Sequence, residues 1–429
     1  MDFLKGFLNK QMSLINGKLR PAESKRETGT PPPIHRRAPH ASLPPASENK
    51  LMITCPDPSS EDTLRDAHFD TGQRLARQER WDVLISKIEK ADARREMTPG
   101  AMPISDLLAY GARADVIHAA EHVLLEGTPA RDAPVLDGIE ALEHVLADFP
   151  QSYVVAAIVA QTHMDIAWSW RGTGWTADVP PRNLEAFEAH FDRASDILTP
   201  FLGTALESPF LAATACALLG GTHSKPGRIA NLYETLIDLN PLNPQSMRAM
   251  GNHLLPRWHG SYAELELEAR RTASRTTDIW GAGGYTWVQF DAITGDDTAC
   301  ANLDLGFFIE GLRDILTRRP DPYTANLLAA YCANAIGPSY TGNDEADYNR
   351  VGISGCAHWI VRNHLTELHP MIWAHAARGF DNNLRVVSPA RFAASGRDDA
   401  MRIITNLFSS EIDAGQRIIF TDEGPVAST

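Results

Sequence analysis

Cysteine is sparse in this chain and never paired. The five (Cys55, Cys216, Cys300, Cys332 and Cys356) form no C-x-x-C, and their number is odd. Most sit in apolar segments, so they read as reduced, buried thiols of a cytoplasmic protein. No run of about 18 apolar residues occurs, so no transmembrane helix is expected. Strand-type alternation is almost missing. A basic surface is missing too. The chain carries a net charge of −14, and its first 50 residues hold nine Lys/Arg against four acids, which leaves the remainder at −19. Phosphate backbones need a basic footprint, so nucleic acid is not expected as the main ligand. The acidity reads as solubility.

The composition that is present, 43% hydrophobic and 22% charged over 429 residues, is globular. The first twenty residues, MDFLKGFLNKQMSLINGKLR, place apolar side chains at 3, 4, 7, 8, 12, 15 and 19 with basic residues between them. This spacing predicts a basic amphipathic helix over 1–20. Its chemistry suits an anionic membrane surface, a partner, or the acidic body itself, and a helix merely packed on the fold is the alternative. It has no compact apolar core or small-x-small site of a secretory signal. Residues 21–60, with TPPPIHRRAP and SLPP, read as a Pro-rich disordered linker.

From about residue 61 to 412 the period is near 3.6, and helices are expected at roughly 104–126, 132–148, 152–167, 183–199, 207–220, 228–239, 244–255, 261–275, 299–318, 322–336, 344–368, 371–378 and 398–412. Two strands are expected, YTWVQF (285–290) and QRIIF in a C-terminal tail over 413–429. The class is all-α.

Three junctions share a pattern. LEHVLADFP ends at Pro150, YETLIDLNP at Pro241 and LRDILTRRP at Pro320. In each, a large residue (Leu142, Tyr233, Leu312) precedes the proline by eight. A small residue (Ala160, Gly251, Ala330) follows by ten. Proline stops one helix and the small residue lets the next approach its neighbour. NLYETLIDLNPLNPQSMRAMG resembles the junction between tetratricopeptide repeats, with Tyr233, Pro241, Gly251 and Ala263 at the family's positions. The chain departs from that pattern. Its prolines are 91 and 79 apart rather than 34, and Met247 and Met250 replace the Trp and Leu. Each unit would therefore hold about four helices. Residues 60–370 also resemble a bacterial helical domain family of uncharacterised function with the same architecture. The resemblance implies a right-handed α-solenoid of helix pairs and a concave groove for a peptide or protein.

An aromatic-x-Gly follows the first helix of every unit: Trp170-Arg171-Gly172, Trp258-His259-Gly260 and Tyr340-Thr341-Gly342. These read as packing corners. The first, with Trp168 and Trp175 added, is the most elaborate. A cation cage is its rival, but Trp mainly supplies buried area.

Other chemical signals are weaker. RGTGWTA has the glycines of a dinucleotide fingerprint without the strand before or the helix after. His118, Glu121 and His122 form H-x-x-E-H and could hold zinc on one helix face, yet no further acidic ligand is evident. His358, His364, His369 and His375 are too spread for one metal. GISGC lacks the last Gly of a nucleophile elbow, and GGTHSKPG has Pro226 where a P-loop needs Ser/Thr. No cofactor is expected. The expectation is a non-catalytic interaction or scaffold protein. A hydrolase or metal enzyme near His118, Glu121 and His122 is the alternative.

Overall fold

The fold is taken from a computed structural model, which describes residues 50–124, 136–172, 178–203, 206–221, 228–258, 260–337, 341–378 and 388–428. The expected helix over 1–20 and most of the expected linker lie outside these residues.

The described chain is predominantly helical. In order, the longer helices run α1 (Ser60–Arg77), α2 (Trp81–Ala93), α3 (Ile104–Leu124), α4 (Asp137–Asp148), α5 (Tyr153–Arg171), α6 (Pro181–Leu198), α7 (Pro209–Ala217), α8 (Arg228–Leu239), α9 (Pro244–His253) and α10 (Tyr262–Arg275). After the short α11 (Thr277–Trp280) come α12 (Gly283–Gly295), the short α13 (Asp297–Ala301), α14 (Leu305–Arg318), α15 (Pro322–Ala330), α16 (Asp344–His364), α17 (Pro370–Arg378), α18 (Pro389–Leu407) and the short α19 (Ser409–Asp413). Many starts are written locally. Ser208, Asn243, Asp321 and Ser388 each accept a hydrogen bond from the first turn, and each is followed by a proline whose missing N–H costs nothing there. Each such cap is worth about 1 kcal/mol.

Two kinds of helix alternate. α9 is buried from Ser246 to His253 and α12 from Gly283 to Ile293. α10 buries one stripe, Leu265, Glu268, Ala269, Thr272 and Ala273. Helices buried all round form an inner layer, and one-striped helices cover it. Inner helices pack on one another, α3 on α5, α9 on α12 and α15 on α17, and the one-striped α1 lies on α3. The three junction prolines each fall between an outer helix and the next inner one, and four longer helices separate successive junctions. The large residues Leu142, Tyr233 and Leu312 are buried, as are Ala160 and Ala330. At Gly251 the approach is closest. A Cβ there would stand 1.7 Å from the Val288 carbonyl oxygen, so α9 and α12 touch backbone to backbone.

The structure corrects two expectations. YTWVQF is helical, inside α12. Its aromatic and β-branched residues suggested a strand, but burial on every side removed the helical period from the sequence. The disordered linker does not extend to residue 60. Leu51–Met52 form β1, which pairs parallel with β2 (Arg417–Thr421). The expected strand QRIIF is present as β2, which also pairs antiparallel with β3 (Gly424–Ser428). Leu51 and Ile418 are buried together. The two ends of the described chain also meet. Besides the β1–β2 pairing, the Leu368 N–H donates to the Thr54 carbonyl.

The loop 94–103 runs past several inter-helix turns, with Arg94, Glu96 and Pro99 exposed. Arg95 donates to the carbonyls of Leu239 and Glu207, and Arg319 donates to the Pro99 carbonyl. Thr98, Ala101 and Met102 are buried. The loop thus ties three inter-helix turns to one another.

Candidate binding site

The aromatic corner packs against α6. Trp168 stands edge-on to Phe187 and Phe191 on α6, at 5.0 and 6.1 Å between ring centres. Arg171 lies over Trp168 and Arg182 over Trp170. Asn183 donates to the Trp170 carbonyl. Trp170 and Arg171 are buried. Burial lowers the Arg171 pKa. Gly172 caps α5 with φ +65°, a conformation that suits glycine. Trp258 is buried edge-on to His253. The corners are not equivalent: Gly342 also has positive φ, while Gly260 is held by crowding against the Leu254 carbonyl. Trp175, His259 and Tyr340 lie outside the described residues.

The H-x-x-E-H residues sit at the end of α3, where His122 is exposed and His118 and Glu121 are half-buried. No third ligand joins them among the described residues. The four C-terminal histidines have separate neighbours: His358 accepts from Arg362, His364 meets Trp359, His369 pairs with Glu367, and His375 lies edge-on to Phe392. GISGC lies inside α16, with Cys356 buried.

A different histidine pair links α4, α5 and α6. His163 Nδ1 is 2.8 Å from His190 Nδ1, and its Nε2 is 2.9 Å from Glu143. Arg193 grips the same carboxylate. The Arg193 hydrogen bond is the main cause that holds Glu143 down to about 2. Burial lowers both histidines, His190 to about 4.

A further buried polar grouping involves α1, α9, α12, α15 and α17, and no motif announced it. Glu61 on α1 accepts from Thr98 Oγ1 at 2.7 Å and from the Gly100 N–H at 2.8 Å, so the loop 94–103 occupies both of its oxygens. Arg65 lies one turn on, its Nε 3.9 Å from Glu61. It is 3% exposed, and its Nε and Nη2 donate to nothing. On α9, Arg248 forks onto Asp291 of α12 at 3.1 and 2.7 Å. It also lies over the rings of Phe290 and Tyr331. Tyr331 begins a π-turn that continues α15, closed by the Ile336 N–H on the Tyr331 carbonyl. Such wide turns recur at functional sites.

Tyr323 starts α15 beside Gly100, where a Cβ would come within 3.1 Å of its ring. Burial raises the Tyr323 pKa, and both Arg65 and Arg248 act on it electrostatically. Burial, with Arg65 second, lowers His375 on α17 to about 4. Tyr323 and His375 nevertheless remain partly accessible.

No family model, curated protein or solved structure matches the chain. Among the described residues, no helix is long and apolar enough to cross a membrane.

Proposed function

We propose that this is a non-catalytic interaction protein built from diverged tetratricopeptide-like helix pairs. The alternation of buried and one-striped helices and the three junction positions support the fold part of that reading. Because the ends of the array meet, the partner is assigned to the outer layer rather than to an open groove.

One observation carries the assignment. On α16, Tyr348 is 71% exposed and Val351 62% exposed, and a Cβ at Gly355 would meet nothing within 4 Å. These positions are spaced i, i+3, i+7, the footprint of a helix lying across a helix. Large apolar side chains left in water at that spacing favour an apolar cover. Asp344 and Glu345 flank the stripe in the first turn. The occupant is therefore an amphipathic helix of another protein, apolar on one face and flanked by Lys/Arg. Residues 1–20 of this chain have the same chemistry and are the rival occupant.

The test places a photo-crosslinking residue at Val351 in the full chain, in its native host. Crosslinks to a basic amphipathic segment of another protein, lost on Tyr348→Asp, are expected. Crosslinks to residues 1–20, or none, overturn the assignment.

A further inference from the structure

We propose that His163 and His190 form an acid-sensitive latch, in which proton uptake releases α6 from α4 and α5. The latch is separate from the α16 stripe and stands or falls independently of it.

α6 lies on α5 and on the turn 218–220 through one apolar stripe, Phe187, Phe191, Ala194, Ile197 and Leu198. His190 and Arg193, about one turn apart, tie it sideways to its neighbours. The hydrogens of this cluster follow from its partners. Arg193 grips Glu143 with Nε and Nη2 at 2.8 and 2.5 Å, which keeps that group a carboxylate. A carboxylate only accepts, so His163 Nε2, at 2.9 Å, carries a hydrogen. His163 is buried, and a neutral ring has one N–H. Its Nδ1 is therefore a bare acceptor. The 2.8 Å contact between the two Nδ1 atoms then requires that the hydrogen between the rings belong to His190. One line of hydrogen bonds runs from α4 through α5 to α6, with a single hydrogen joining the rings.

That geometry limits the protons the closed latch can hold. A first added proton can enter at His190 Nε2 and leave the contact in place. A second has only His163 Nδ1, where two N–H groups and two positive charges would face each other at 2.8 Å. Burial also disfavours the charged rings and lowers both, His190 to about 4. A ring freed into water takes its proton near 6.5. The closed state is therefore at full strength above about pH 6.5 and loses ground as pH falls toward 4. Release bares Phe187 and Phe191 together with the Trp168 edge that covers them.

The charged groups around the pair do not cancel this effect. α4 brings Glu143, already held by Arg193, while its Glu140 and His144 are exposed. α3 brings Arg113, which Asp165 of α5 holds at 3.0 Å. α2 brings Asp92, bonded to Tyr153 at the start of α5. α7 (PFLAATACA) and the turn 218–220 (LLG) carry no charge. On α6 itself Glu188, Asp192 and Asp196 are exposed.

The experiment follows backbone hydrogen exchange by mass spectrometry in the full chain at pH 8 and pH 5, each normalised to the unfolded chain at the same pH. Protection of α6 relative to α12 should fall by about thirtyfold from His190 alone, the ratio expected for a ring that titrates near 6.5 when open and near 4 when closed. His190→Asn keeps an N–H donor in the place of Nδ1 but does not titrate. It should match the parent at pH 8 and lose most of the acid response. Should that variant fail to fold, the parent itself decides. With 15N-labelled histidine, a coupling between two ring nitrogens across one hydrogen bond is expected at pH 8. An α6 that responds to acid no more than α12, an undiminished response in His190→Asn, or a missing coupling overturns the proposal.

Discussion

Arg65, on the one-striped α1, and Arg248, on the inner α9, are both buried and differ in almost everything else. Arg248 has a bidentate carboxylate, two aromatic rings, and helices in backbone contact around it. Arg65 has a carboxylate at 3.9 Å and two idle donors. The contrast separates a cation that ties two helices together from one that structure alone does not account for. Removing one partner of a buried pair strands the other's charge, and the loss is greatest where the pair is close and fully hydrogen-bonded.

The sharpest way to break this comparison is at Asp291. Asp291→Ala should lower stability by about 3–5 kcal/mol, because it leaves Arg248 uncompensated. Urea unfolding that shows less than about 1 kcal/mol would place Arg248 in the same class as Arg65. Next comes the tight crossing beside Arg248. Gly251→Ala pushes a methyl into the Val288 carbonyl and should cost about 1–3 kcal/mol. Gly355→Ala, on the open face of α16, should gain up to about 1 kcal/mol. A thermal melt in which both shift alike would contradict the close approach.

Acid tests both regions. His253, whose Nδ1 lies 2.7 Å from the Tyr233 hydroxyl on the Arg248 side, is lowered by burial to about 4, as is His375 on the Arg65 side. A neutral buried histidine takes up its proton in the unfolded chain first. Stability should therefore be full above about pH 6.5 and fall as pH drops toward 4. Each histidine adds up to about 1.4 kcal/mol per pH unit inside that window. His375→Gln should reduce the slope by nearly one proton, and an unchanged slope would show that His375 does not titrate as argued.

Much of the helical framework was legible residue by residue. Ser/Asn/Asp followed by Pro, a 3.6 period and the junction prolines are local signals, and α8, from Arg228 to Leu239, falls where they put it. The junction pattern also gave Gly251 as a point of close approach. Legibility failed where burial became uniform. α12 hides its period because water touches none of its faces, and Leu51 carries too short a signal to reveal a strand whose partner lies 367 residues away at Ile418. The candidate sites were illegible for a related reason. Arg65 stands alone among ordinary charged residues of α1, and His163 and His190 stand 27 residues apart on different helices.

The all-α class, the acidic body and most helix starts follow from the chain read alone, because caps, prolines and amphipathic stripes act over one or two turns. The meeting of the two ends, the path of the loop 94–103 and the contact of His163 with His190 belong to the tertiary structure. Those depend on which buried surfaces find each other across hundreds of residues, and hydrophobic burial, being non-directional, leaves no short-range mark of its partner.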